Sequence, residues 1–434
     1  MPYGCKILKV KKMLRYMNYI YQTYINKRMM ILLALGFTSG FPFLLVFGTL
    51  SFWLKDLDIS YSLIGAFSLV KIPYSLKWAW SPLIDNIKIP YLYKMGRRRS
   101  WAVLIQTLLF LSLTAMAFTH PEKHTLHMAM YAFIASFLSA SQDIILDAYR
   151  VESFENEPEK QASGVAIYVL GYRLGLIFSG AGAIYLASVI SWNEVYLVMA
   201  CGLLVGFIAI LLANEPQKYL YKKYEFKLKD SIIFFKNSIV NPFKDFAKRR
   251  YWYWILLFIF TYRLSNAYFA PMSFPFYVDL GFSKAEIASV IKIYGMIAAI
   301  LGGLTGGLIV MKIGMKNSLL LFGITQCLTT FLFAVQASYG HNMPLFITII
   351  TLENFSSGLA TTALVAYISS LCNKLYTATQ YALLSSVISL SRDIFASTSG
   401  ILAQYVSWKI FFIFSGFLSL PSLIIVWFCI KKDK

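Results

Sequence analysis

Apolar runs of about eighteen residues or more recur between Met29 and Ile430, separated by short polar stretches. Each can cross a hydrocarbon layer about 30 Å thick as a helix. Hydropathy places spans near residues 29–54, 62–84, 101–119, 127–149, 164–190 and 193–213. After a polar stretch it places six more, near 251–279, 285–311, 318–337, 345–371, 377–405 and 408–430. The pattern predicts an all-α polytopic membrane protein of about twelve helices. Within span four, Ser136, Ser139, Asp143, Asp147 and Arg150 recur at spacings of three and four and so share one helical face. Span five carries Gly164, Tyr168, Gly171, Gly175, Ser179 and Gly182 at the same spacing, a small-residue face that lets another helix approach closely.

Composition agrees: of 434 residues, 58% are hydrophobic and only 14% charged, against roughly 25% charged in an average soluble protein. The net charge of +20 would suggest nucleic acid in a soluble protein. Its placement gives a different reading. Of the 40 Lys and Arg, only Lys55, Lys123, Lys284 and Lys409 fall in loops on one side, and six lie inside spans. The remaining basic residues are in the two tails and in the loops of the other side, ten of them in residues 214–250. By the positive-inside rule both termini are cytosolic. Trp53, Trp78, Trp80 and Tyr91 lie near predicted interfaces, where belt aromatics are expected. Cys5, Cys201, Cys327, Cys372 and Cys429 are scattered without a C-x-x-C pair, which indicates neither a disulfide framework nor a zinc site.

The expected organisation is a basic cytosolic tail (1–28), retained rather than cleaved, a six-helix bundle (29–213), a basic linker (214–250), a second six-helix bundle (251–430) and a short tail (431–434). Within the linker, the apolar run Ile232 to Phe235 could lie along the inner leaflet. This is the layout of the major facilitator fold, two parallel repeats around a midplane site. Trp80 to Asp85 with Gly96-Arg97-Arg98-Arg99 follows span two, and Gly307 to Lys316 follows span eight, with Met311 where a second copy would carry its acid.

Charges inside a bilayer persist where they pair, reach water or bind something. They are Lys71 and Lys77 in span two, Asp143 and Asp147 in four, Arg173 in five, Arg263 in seven, Lys292 in eight, Glu353 in ten, and Arg392 with Asp393 in eleven. Spans three, six, nine and twelve, the peripheral helices of that fold, carry none in their interiors. Bases exceed acids, which points to an anionic small-molecule substrate. Asp143 is assigned to substrate or proton handling, with a structural salt bridge to Arg173 or Lys71 as the alternative. Arg173 and Arg263 are candidate anchors for a carboxylate or phosphate, by their bidentate geometry. Asp147 with Arg150, and Asp85 with Arg97, Arg98 and Arg99, are assigned to a cytosolic gate; the arginine run could instead bind lipid headgroups.

Ser141-Gln142-Asp143-Ile144-Ile145-Leu146-Asp147-Ala148-Tyr149-Arg150-Val151-Glu152, with Tyr168-Val169-Leu170-Gly171-Tyr172-Arg173-Leu174-Gly175, resembles the AmpG-type muropeptide permeases of the major facilitator superfamily. So do Glu353-Asn354-Phe355-Ser356-Ser357-Gly358, Leu371-Cys372-Asn373 and the stretch from Thr377 to Ser386; the resemblance runs from about Gly36 to Trp408. It implies import of anhydromuropeptides across a bacterial inner membrane, driven by the proton-motive force, without a cofactor, a nucleic acid or an obligate protein partner. Gln142, Asp143, Tyr172, Arg173, Arg263, Asn266, Lys292, Glu353, Asn354, Arg392, Asp393 and Lys71 are the candidate substrate or coupling residues. Two positions depart from the family: Asn266, where relatives often carry an acid, and Met311. Alternatives are a permease for another anion such as an acyl-coenzyme A, or a sensor that kept the fold. No H-E-x-x-H, Gly-Lys phosphate loop or G-x-S-x-G elbow supports an enzyme.

Overall fold

The computed structural model describes residues 22–60, 63, 67–154, 156–216 and 240–432. Most of the basic tail, and linker residues 217–239 with the run Ile232 to Phe235, lie outside the described residues. Among the described residues all regular structure is helical. The helices are α1 (Lys27–Asp56), α2 (67–86), α3 (Arg97–Ala117), α4 (Thr125–Ser153), α5 (Gln161–Ala187), α6 (Trp192–Leu212), α7 (252–279), α8 (284–313), α9 (Met315–Tyr339), α10 (Met343–Ser370), α11 (Thr377–Tyr405) and α12 (408–432).

Nine of these have a stretch long and apolar enough to cross a membrane. The other three are α2, α7 and α11. In α2 and α7 the helix breaks into short pieces, with Pro73, Pro82 and Pro271 at the first positions of new segments, where proline's missing N–H costs nothing. By contrast α11 is continuous over 29 residues, and Arg392, Asp393 and many Ser and Thr lower its apolarity.

The two halves repeat one another at a detail the hydropathy does not display. Ser191-Trp192 opens α6 and Ser407-Trp408 opens α12. The Trp192 indole N–H donates to Asp56, the last residue of α1, at 2.8 Å, and that of Trp408 donates to Asp279, the last residue of α7, at 3.0 Å. Near the first of these, Trp53 corrects its expected place in the interfacial belt. It is 1% exposed and packs on Trp192 and Tyr196, because the end of α1 is enclosed by α6.

The small-residue face of α5 packs on α1. A Cβ on Gly36 or Gly40 would lie 2.1–2.2 Å from the carbonyl oxygens of Tyr168 and Tyr172, and one on Gly171 or Gly175 equally close to those of Leu33 and Phe37. Only glycine admits this approach, from both helices. It turns the opposite side of α5, with Arg173, toward the second half.

Candidate functional site

The chain ends of α2, α4, α6, α8 and α10 gather at one end of the bundle with residues 213–216 and 240–250, here called the linker end. The bonds that join the two halves cluster there. Asp85, buried at the end of α2, accepts from the Arg98 guanidinium at 2.7 Å. The same carboxylate accepts the backbone N–H groups of Ala378 (3.3 Å) and Thr379 (2.8 Å) and the Thr379 hydroxyl (2.7 Å). First-turn N–H groups have no partner within their own helix and face the positive end of its dipole. A carboxylate of the first half therefore caps a helix of the second. Arg98, fully buried, also holds Glu152 at 2.6 Å, and Arg97 holds Glu152 at 2.8 Å. Arg99 stands apart from this cluster and donates to the last carbonyls of α6, Ile210 and Leu211, at 3.0 and 2.9 Å.

Arg150 forms a second junction. It is fully buried, donates to Ser369 of α10 at 3.0 Å and to Asp147 at 3.3 Å, and lies 5.4 and 5.2 Å from the ring centroids of Tyr168 and Tyr381. Helices α4, α5, α10 and α11 thus meet at one guanidinium, with a cation–π face on each ring. A third junction reaches α8 from the first half: the Ser163 hydroxyl of α5 donates to the Met311 sulfur at 2.6 Å, and the hydroxyl of Tyr24, ahead of α1, to the Leu304 carbonyl at 2.7 Å. Met311 therefore meets the start of α5 as Asp85 meets the start of α11, with a neutral thioether in place of the acid.

Deeper between the halves, Asp143 accepts the Ser39 hydroxyl of α1 at 2.6 Å, and Gln142 donates to the Thr38 carbonyl at 2.8 Å. Among the described residues neither Arg173 nor Lys71 pairs with Asp143; the Lys77 ammonium and the Asp147 carboxylate are within electrostatic range of it, and the Lys71 ammonium lies over the Phe47 ring. From the second half, Arg263 donates to the Ser357 hydroxyl (2.8 Å), to Thr361 and to the Asn266 side-chain oxygen (3.1 Å). The Asn266 amide passes on to Glu353 at 2.8 Å. Asn266 thereby links the base to the acid as a neutral bridge, using both ends of its amide. Asn354 donates to the Ile350 carbonyl of its own helix.

Half-buried Arg173 makes no hydrogen bond or ion pair among the described residues, and Glu353 and Arg263 are within electrostatic range of it. Tyr172 and Arg392 are likewise within range of one another. Arg392 and Asp393 pair at 3.2 Å, with side chains 64% and 58% exposed. Lys292 lies in a π-helical segment of α8, Val290–Gly295, and its side chain falls outside the described residues.

Several participants were not singled out from the sequence. Glu152, which binds both Arg97 and Arg98, is two residues past Arg150 and could have been found as an acid at the same helix end as the arginine run. Ser39, Ser357, Thr361, Ser369, Thr379 and Tyr381 are neutral and give no signal among the many hydroxyls of the spans. Glu215 accepts the N–H groups of Arg98 and Arg99 at 2.8 and 3.2 Å. Burial raises its carboxyl above its ordinary value, an effect those two N–H groups only partly offset.

The family profile described as the Major Facilitator Superfamily matches residues 32–392 and again residues 259–434. A "Putative transporter AmpG 4" of Rickettsia felis is 39% identical over 407 residues, covering 93% of this chain and 97% of the relative. A "Putative transporter AmpG 3" of Rickettsia prowazekii is 37% identical over 393 residues, covering 90% and 92%. Among solved structures, the proton:xylose symporter XylE bound to 6-bromo-6-deoxy-D-glucose superposes with a TM-score of 0.68 at 13% identity, covering 94% of this chain and 96% of that one. FucP in the outward conformation gives 0.66 at 12% identity, covering 94% and 99%. At such identities these two likenesses concern the fold.

Proposed function

The chain belongs to the major facilitator superfamily, in its AmpG-type branch, and from that premise we propose that it imports anhydromuropeptides from periplasm to cytosol by proton-coupled alternating access. It is a multi-pass membrane transporter and not an enzyme. In this reading twelve spans cross a bacterial inner membrane with the linker end in the cytosol. The junctions at Asp85, Arg150 and Met311 are the closed cytosolic side of one state, and their separation opens the other.

The observation that carries the reading is the Arg173 guanidinium. It stands half-buried between the halves without a hydrogen bond or ion pair among the described residues. An unpartnered guanidinium at such a place is costly. A carboxylate from a stem peptide supplies the two acceptors its fork geometry fits. Arg263 approaches from the other half already held by neutral acceptors, so an anion between the two draws the halves together. Asp143, bonded to a hydroxyl and not to a base, is the carboxylate assigned to take up and release the coupling proton.

The test is uptake of labelled N-acetylglucosaminyl-anhydromuramyl tripeptide into vesicles holding the purified chain. Accumulation only when the face equivalent to the periplasm is acidic is the expected result. With insertion verified and no uptake under either gradient, the substrate reading fails.

A further inference from the structure

The linker enters the bundle at two acids, one on each side of the Asp85 junction. On the first side, α3 is preceded by Gly96, at a φ of +106°, which has no side chain with which to cap the helix. Glu215 fills that role from 117 residues away, accepting the N–H of Arg98 on one oxygen and that of Arg99 on the other. A Cβ at position 96 would lie 2.3 Å from the Glu215 carboxyl carbon, so the approach requires glycine there. Arg99 closes the loop by bonding the last carbonyls of α6, and the Tyr149 hydroxyl donates to the Asn214 carbonyl at 2.9 Å.

On the second side, Asp245 accepts the side-chain amides of Gln380 at 2.9 Å and Asn373 at 3.1 Å, and the Pro242 carbonyl accepts Gln380 at 3.1 Å. Gln380 in turn accepts the Asn373 N–H at 2.7 Å. Gln380 follows Thr379, which binds Asp85. The two groups that Asp85 joins, the Arg98 guanidinium and the first turn of α11, are therefore each fixed from behind by a linker carboxylate.

We propose that Glu215 and Asp245 are positioning residues of the gate: they hold the α3 and α11 starts where Asp85 can meet both at once, and so favour the state closed at the linker end. Their effect comes through the helix starts. The proposal rests on the alternating-access reading of the linker-end junction.

Hydrogen–deuterium exchange of the full chain in lipid nanodiscs tests it, because the amides of Ala378 and Thr379 report on Asp85 from the half that Glu215 does not touch. In E215A, loss of the cap frees Arg98 and Arg99, and exchange at 378–379 rises on the order of fivefold, the equilibrium weight of one helix cap. Exchange in the α8–α10 contact around Gly302 stays as in the wild type and shows that the fold is kept. The isosteric E215Q, which retains one acceptor oxygen, gives a smaller rise and serves if E215A does not fold. Faster exchange at 98–99 with no change at 378–379 overturns the proposal and leaves Glu215 a local cap. No protection of 378–379 in the wild type itself overturns the gate reading beneath it.

Discussion

Between apolar helices, what a charged side chain does depends on which neighbours have a formal charge to answer it. Arg263 and Glu353 are joined through Asn266, an amide, and not by direct contact. Asn266 thus keeps base and acid linked while adding no third charge. Arg173 has no such bridge, and its separation from Asp143 leaves both groups available. Replacing Arg173 with Leu is expected to weaken binding of carboxylate-bearing ligands by at least tenfold, as befits loss of a hydrogen bond to a charged group at about 1.5–3 kcal/mol. Uncharged analogues should be affected far less; equal loss in a binding titration assigns Arg173 to structure. Replacing Asp143 with Asn keeps the acceptor for Ser39 and removes the titrating group. Accumulation driven by a pH gradient should be abolished while binding persists, and unimpaired accumulation removes Asp143 from the coupling step.

Helices of this chain are placed by two kinds of surface. Where small residues face each other, as in α1 against α5 and in α8 against α10, backbone approaches backbone; a Cβ on Gly302 would lie 2.0 Å from the Phe355 carbonyl. Where proline opens a new segment, as in α2 and α7, the helix is divided into short pieces that kink at the break. Gly171→Ala tests the rigid kind, because the added methyl would sit 2.1 Å from the Leu33 carbonyl. Such overpacking should lower stability by about 1–3 kcal/mol, seen as a drop in thermal unfolding temperature in detergent. An unchanged transition would mean that α1 and α5 separate freely.

Over the whole molecule, the two halves repeat one another in helix order and in the Ser-Trp to Asp bonds, and differ at their linker-end junctions. Asp85 crosses to α11 as a charge backed by Arg98 and Glu152; Met311 crosses to α5 as a thioether. Breaking the first gives up the three hydrogen bonds that α11 donates to a carboxylate still paired with Arg98, at about 1.5–3 kcal/mol for each bond to a charged group, and breaking the second, a hydroxyl on a thioether, costs far less. The junctions should therefore part unequally, with the α5–α8 side yielding first. The orientation proposed here, with both termini cytosolic, rests on a separate physical cause, the difficulty of moving Lys and Arg across the membrane during insertion. A fluorescent protein fused after Lys434 should fold and fluoresce in the cytosol; a fusion active only on the periplasmic side would reverse the assignment.

Hydropathy alone determined that the chain is an all-helical membrane protein, because each span must satisfy its own backbone in lipid and the price of doing so is written locally in apolar length. Spacing alone placed the glycine face of α5 and the polar face of α4, since helical periodicity is a property of consecutive residues. The run Gly96 to Arg99 after Asp85 marked a junction before its partners were known. Those partners were decided by the tertiary structure. Glu152 is 54 residues from Arg98, Thr379 is 294 from Asp85 and Ser369 is 219 from Arg150, and nothing local distinguishes the two hydroxyls from their neighbours, while Glu152 carries only the mark of an acid at the helix end beside the arginine run. The burial of Trp53, the bridging role of Asn266 and the separation of Arg173 from Asp143 likewise depend on how helices distant in the chain are set against one another, which short-range pattern does not encode.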